Sequence, residues 1–297
     1  MNTTRSIAVF ASLLLACGMD MTAQADKLRV VILTDISNEP DDQQSLVRFL
    51  TYANEFDVEG LIATTSCWRR NKPDKPTILQ VLDAYEKALP NLRKHAAGYP
   101  EADALRRVTK AGVDGFGMSA AAEQLDNEGI RHIVIYSDAS DRWTYAGQPY
   151  HNEYATVFRW RQAFQNDFAA RMDWCVADDF KNAHHNPVAV LNGDRTKRVL
   201  PLTAKPGDTV TLSAEGTQDP DGDALDVCWW IYPEAGTLPT GADGKSPVTL
   251  SAEQGSRTTL VASKVGNPET LHVILEVCDA GTPPLFAYRR AVITIQP

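Results

Sequence analysis

The chain has 297 residues, 43% of them hydrophobic and 23% charged, with 29 Lys and Arg against 38 Asp and Glu for a net charge of −9. That length is a prior for two domains, and the composition is that of a globular protein. An acidic chain without basic runs lacks the clustered Lys and Arg that phosphate backbones and anionic membrane surfaces require, so nucleic acid is excluded as an expected partner.

Residues 1–25 stand apart from the rest. Arg5 precedes an apolar run from Ile7 to Met19, and a small-x-small site ends at Ala25. This is the pattern of a secretory signal peptide, with cleavage expected after Ala25 and export to the periplasm or the exterior. The piece removed carries Arg5 and Asp20, so the mature charge stays at −9. A rival reading makes Cys17 the lipidated residue of a lipoprotein, although Leu15 is unfavoured in such a site. The run is too short to span a bilayer well, and no transmembrane anchor is expected in the mature chain.

Residues 28–34, LRVVILT, read as a short, fully buried strand. Pro40, Asp41 and Asp42 open a helix that carries Leu46, Phe49, Leu50 and Ala53 on one stripe. Acidic residues in its first turn suit the helix dipole. A second strand follows over 57–66. A second helix has Ile78, Leu82, Tyr85 and Leu89 on its buried face, with Pro73 and Pro76 near its start. The order strand, helix, strand, helix predicts a parallel α/β sheet. Beyond it, residues 98–129 are glycine-rich with short helical fragments between, 130–138 read as one more strand, and 138–153 as loop. A helix then begins at Ala155, with Val157, Trp160, Phe164, Phe168 and Met172 at helical spacing.

After residue 186 the helical period disappears. Six segments beginning at Asp208, Leu225, Ser246, Arg257, Leu271 and Tyr288 read as strands separated by turns. The expected architecture is therefore an α/β domain over 26–186 followed by an all-β sandwich of immunoglobulin-like type over 187–297. Alternation places Leu225, Val227, Trp229 and Ile231 toward the core, and Cys228, Trp230 and Tyr232 on the outer face. Val273, Leu275 and Val277 point inward; His272, Ile274 and Cys278 point outward. Cys228 and Cys278 then lie on neighbouring strands, either disulfide-bonded or as free thiols. No CxxC pair supports a zinc site. The outer face is too apolar for open solvent. It either packs on the helix over 155–172 or offers Trp230 and Tyr232 as a sugar-stacking platform. Asp219 to Asp223, DPDGD, reads as a calcium-binding turn or as a polar hairpin.

The chemistry is concentrated where the first strand ends in Asp35, Asn38, Glu39, Asp41 and Asp42. Ligands of open parallel sheets bind beyond the carboxyl ends of the strands, so this cluster is positioned for a cation. The competing reading is that Asp41 and Asp42 only cap the helix. Trp68, with Arg69 and Arg70, follows the second strand on the same edge, as a sugar-stacking wall or as surface packing. His151 is a candidate general acid or a surface histidine, and His184 and His185 fall in the linker. No GxSxG, Walker loop or HExxH occurs.

The strings VVILTDISNEPDDQQSLVRFLTYANEFDVEGLIATTS, YATVFRWRQAFQNDFAARMDW, DPDGDALDVCWWIYPEAGT and HVILEVCDAGTPPLFAYRRAVI resemble the Sde182-type cellulose-binding proteins, whose N-terminal domain is nucleoside-hydrolase-like. The resemblance covers nearly all of the mature chain. It implies one Ca²⁺ held by aspartates, with Asp35 or Asp42 as metal ligand, Asp41 touching a sugar hydroxyl or acting as base, and Asn38, Trp68 and Trp230 contacting a carbohydrate or nucleoside-like small molecule. A metal-bound water would be the nucleophile. The loop from Asp35 to Asp41 is longer than the tight loop of true nucleoside hydrolases. The 25 residues from Gly129 to Glu153 bridge a stretch that is longer in the family, so the chain reads as an internally shortened member with only Asp138 and Asp141 available as the late metal ligand. Three functions follow: hydrolysis of an N-glycosyl-type bond, non-catalytic polysaccharide binding, or a shortened product without activity.

Overall fold

The computed structural model describes residues 27–65, 69–112, 114, 141–145, 147–242 and 244–297. The signal peptide, Cys67, Trp68, the strand expected over 130–138 and Asp138 lie outside the described residues, as do the side chains of Asp141 and His151. No described helix is long and apolar enough to cross a membrane.

The first domain is built on β1 (Leu28–Thr34), β2 (Phe56–Ala63) and β3 (Thr109–Ala111), ordered β1-β2-β3 and parallel throughout. Helix α1 (Pro40–Thr51) starts with proline in its first turn and a capping box in which Asp42 accepts the Glu39 amide. Helix α2 (Lys75–His95) is capped by Asp74, which accepts from the Thr77 amide and hydroxyl. The expected stripes are the buried ones: Leu46 and Leu50 from α1 and Ile78, Leu82, Tyr85 and Leu89 from α2 share a core with Leu61 and Trp174. A short helix α3 (Ala102–Arg107) falls among the helical fragments expected in the glycine-rich region, and β3 follows it.

The first strand is not fully buried. Leu28 is 73% and Leu33 38% exposed; they point to opposite faces of β1, the edge strand of the described sheet. The loop expected over 138–153 contains a hairpin instead, β4 (Asp141–Tyr145) paired with β5 (Gln148–Asn152) around Gly147 at φ 77°. Its turn carries no Asn-Gly or Asp-Gly signal, and β5 contains Pro149, which cannot donate to the ladder.

Helix α4 (Glu153–Trp174) joins the two domains. The expected stripe fails at its ends, where Val157 is 49% and Met172 40% exposed. The helix turns a different face to each partner. Trp160 meets the sandwich, Phe164 and Phe168 lie under the Arg48 guanidinium, and Ala170, Arg171 and Trp174 are buried against the first domain.

The second domain has strands β6 (Leu200–Ala204), β7 (Thr209–Ser213), β8 (Leu225–Ile231), β9 (Arg257–Val261), β10 (Glu269–Asp279) and β11 (Phe286–Ile295). They form a sheet of order β6-β11-β10-β8 and a β7-β9 pair, packed around Trp229, Leu212, Leu260, Leu271, Leu275 and Ile293. Residues 246–252 are not a strand: the Val248 amide turns onto the Ser246 hydroxyl, and the bonds from Ser251 and Ala252 to Thr259 and Thr258 run largely through side-chain hydroxyls. β6, which was not anticipated, pairs parallel with β11. β8 and β10 are neighbours as expected, but Cys228 faces Glu276 and Cys278 faces Asp226, so the two cysteines are diagonal and free. A diagonal pair lies at roughly 7–8 Å, beyond the usual reach of a disulfide.

His272 on β10 is buried, and burial followed by the charge of Arg290 lowers its pKa to about 4. The folded state thus resists a proton that the unfolded chain takes up near pH 6.5. Stability from this group is complete above pH 6.5 and falls as the pH drops toward 4. Urea titrations of wild type and His272→Gln should diverge across that window, with the variant spared up to about 2 kcal/mol of the acid loss. Parallel curves would show that His272 takes no part.

Candidate functional site

β1 and β2 end at one edge, with Thr34 opposite Ala63, and α1 and α2 both begin there. The connecting loop is tightly built: Ser37 has φ 73°, its hydroxyl donates to Thr77 Oγ1 at 3.0 Å, and the Asn38 amide donates to the Asp35 carbonyl at 3.1 Å. Asp35, Asn38 and Asp42 are half-buried, and Asp41 is exposed. Burial raises the Asp42 pKa above its ordinary value; the Glu39 amide opposes this, and the charges of Asp35, Asp41 and Glu39 add to it. Arg69 is engaged with the helix cap, bridging Asp74 at 2.9 Å.

Among the described residues, Asp35, Asp41 and Asp42 do not bring three ligand atoms within 4.8 Å of one another; Asp138 and the side chain of Asp141 lie outside the described residues. Among the described residues, the group of His, Cys, Asp or Glu whose ligand atoms lie within 4.8 Å of one another is His184, Asp223 and Asp279. Asp42 is folded back onto the cap of its own helix, and Asp41 sits one position earlier, about 100° around the helix axis.

The outer face of the sandwich is better formed. Trp160 of α4 stands 5.6 Å from Trp230, 6.1 Å from Tyr232 and 5.1 Å, edge-on, from Tyr288. The Arg159 guanidinium lies 4.8 Å over the Tyr232 ring and bridges Glu234 at 3.2 Å. Of the two roles expected for this face, packing on α4 is therefore realised, and Ile274 is only 4% exposed. The contact is incomplete. A cavity of about 410 Å³ remains, bounded by Trp160, Gln162, Trp230, Glu234, Glu276 and Tyr288. Trp230 Nε1 donates to Glu276 at 3.2 Å. Burial raises the Glu276 pKa, the Trp230 bond lowers it and Asp226 raises it, leaving it above the ordinary carboxylate range. The arrangement offers flat apolar walls with a carboxylate and an amide at the rim, suited to a ligand with apolar faces and hydroxyl edges.

Sequence reasoning placed Trp230 here but missed Trp160, Glu276 and Tyr288. Glu276 was within reach, because strand alternation puts it on the outer face with Ile274 and Cys278. Trp160 was visible as part of a helical stripe, without any indication of which domain it would face.

Residues 29–145 match a family model described as the nucleoside hydrolase-like domain of cellulose-binding Sde182, and residues 209–295 match the C-terminal domain of cellulose-binding protein Sde0182. Among curated proteins none matches this chain. Among solved structures, a nucleoside hydrolase-related hypothetical protein from Saccharophagus degradans, associated with carbohydrate metabolism, aligns with TM-score 0.76 and 24% identity over 91% of this chain and 100% of that one. The PKD domain of KIAA 1837 protein aligns at TM-score 0.23 and 20% identity over 33% of this chain and 81% of that one, too weakly to carry an argument. The mixed α/β sheet with a β-rich C-terminal domain, the two family-model matches and the shared fold of the Saccharophagus protein lead to one conclusion: the chain belongs to the Sde182-type cellulose-binding family, with a nucleoside-hydrolase-like N-terminal domain.

Proposed function

We propose that this protein is exported and binds carbohydrate without cleaving it, holding a sugar chain in the cavity between α4 and the outer face of the sandwich. The observation that carries this reading is the cavity itself: three aromatic rings, Trp160, Trp230 and Tyr288, around a volume of about 410 Å³ with Glu276 and Gln162 at its edge. A pyranose ring has apolar C–H faces for the aromatic walls and hydroxyls for the carboxylate and amide, and a pocket of this size suits one or two sugar rings. The cellulose-binding character of the family supports the same class of ligand. Export is supported by the leader over residues 1–25, with Cys17 as the alternative lipid attachment point.

The test is retention on cellulose and titration with cello-oligosaccharides. Trp230→Ala and Glu276→Gln should each weaken binding at least tenfold, or about 1.4 kcal/mol. Glu276→Gln keeps the side-chain volume, so its loss of binding would not come from a collapsed junction. Asp42→Ala should bind as the wild type does. Undiminished retention in both cavity variants would refute the proposal.

A second reading, hydrolysis of a glycosidic bond at the carboxylate edge with Ca²⁺, is favoured by the charges of Asp35, Asp41 and Glu39 acting on Asp42, which a cation would offset. It requires calcium-dependent sugar release that Asp42→Ala abolishes.

A further inference from the structure

We infer that His184, Asp223 and Asp279 form a binding site for one divalent transition-metal ion of the zinc class, which ties the interdomain linker to the sandwich. The site is independent of the sugar cavity. Its residues come from three separate places in the chain: His184 from the linker after α4, Asp223 from the end of the DPDGD turn, and Asp279 from the last position of β10.

Each ligand is held by its surroundings with a binding atom left over. The Asp279 side chain has 0% exposure. Its Oδ1 accepts from the Gly281 amide at 2.9 Å and the Leu285 amide at 3.0 Å, which leaves Oδ2 aimed at His184 without a hydrogen-bond partner. Both ring nitrogens of His184 are also buried without a hydrogen bond. The His184 backbone is fixed because its carbonyl accepts from Trp174 Nε1 at 2.8 Å. The turn carrying Asp223 is folded by Asp219, which accepts the Asp221 and Asp223 amides at 2.8 and 3.0 Å. That turn is clamped to the linker where the His185 amide donates to Asp221 at 2.7 Å.

The separations decide between an ion pair and a metal. His184 Nε2 lies 3.2 Å from Asp223 Oδ2 and 3.4 Å from Asp279 Oδ2. Charge-assisted hydrogen bonds are shorter, about 2.7–2.9 Å. A tetrahedron with bonds of about 2.0–2.2 Å has edges of roughly 3.3–3.6 Å, close to the two separations from Nε2, and all three ligand atoms lie within 4.8 Å of one another, near enough to share one ion. Imidazole with two carboxylates selects a first-row transition ion, whereas Ca²⁺ asks for six to eight oxygens. Gly281 admits the imidazole: a Cβ built there would stand 1.9 Å from His184 Cε1 and 2.1 Å from Nε2. Any other residue at 281 would drive the ring away.

Full-length mature protein stripped with EDTA is titrated calorimetrically with Zn²⁺, and with Co²⁺ as an absorbing substitute. One ion per chain is expected, with the visible bands of tetrahedral Co²⁺ and a rise in melting temperature on loading. Asp223→Asn and Gly281→Ala should each weaken uptake by at least about tenfold. Asp223 is part-exposed, so its variant tests the site without a buried cavity or charge; Gly281→Ala tests the approach of the ring. Three results would overturn the inference: no stoichiometric uptake by wild type, equal uptake by Asp223→Asn, or a near-ultraviolet thiolate-to-cobalt band placing the ion on the cysteines.

Discussion

Replacing Arg171 with alanine is expected to cost about 3–5 kcal/mol of stability, because it strips the partner from buried charges rather than merely removing a contact. Arg171 lies on α4 with its side chain only 7% exposed. Its Nη1 donates to the Thr51 carbonyl at 2.9 Å and to Asn54 at 3.0 Å, and its Nε donates to Asp167 at 3.1 Å. The guanidinium also sits 4.2 Å over the Tyr52 ring and 5.0 Å over Trp174. It therefore binds the C-terminal end of α1 to α4 by charge, hydrogen bond and stacking at once. Burial pushes the Glu55 carboxyl up, and Lys197 and Arg171 together outweigh that and hold it below its usual range. Without Arg171, Asp167 loses its charged donor and keeps only the Tyr52 hydroxyl, and the Thr51 carbonyl keeps only the Tyr99 hydroxyl, in a site that water reaches poorly. Lysine should recover less than half of the loss, since one ammonium cannot reproduce the planar fork. Urea unfolding followed by tryptophan fluorescence measures both variants. A loss below about 1 kcal/mol for the alanine variant would show that the network is ornamental.

Trp229→Ala is the second large effect, expected at about 3–5 kcal/mol and confined to the sandwich. Trp229 is 1% exposed at the centre of the core formed by Leu212, Leu260, Leu271 and Leu275. Its indole donates to the Gly255 carbonyl at 2.8 Å, so truncation leaves both a cavity and a carbonyl without its donor. Its neighbour Trp230 faces the other way, and Trp230→Ala should instead weaken sugar binding with a smaller loss of stability. The two adjacent tryptophans thus separate folding from binding. Calorimetric unfolding of the full chain beside cellulose retention makes the comparison. Equal loss of stability in both variants would mean that the two faces of β8 are not energetically distinct.

Much of this was written in local patterns. The stripes Leu46, Leu50 and Ile78, Leu82, Tyr85, Leu89 specify helices that cover a parallel sheet, and alternation in LDVCWWIY separates Trp229 from Trp230 correctly. The hairpin of β4 and β5 escaped because its turn lacks the residues that announce one, and β6 because its pairing partner lies at the far end of the chain. The acidic run after β1 looked like a metal site because carboxylates cluster there in sequence. Asp42 also serves its own helix, accepting the Glu39 amide.

The sequence by itself determined the two-domain order and the buried faces of α1, α2 and β8, because periodicities of two and 3.6 residues are local consequences of backbone geometry; the family was legible separately, in the long strings that resemble it. Only the tertiary structure decided which face of the sandwich meets α4, and that His184, Asp223 and Asp279 converge. Convergence of distant side chains depends on how elements are docked, and docking is set by the summed packing of both domains rather than by any stretch of the chain read alone.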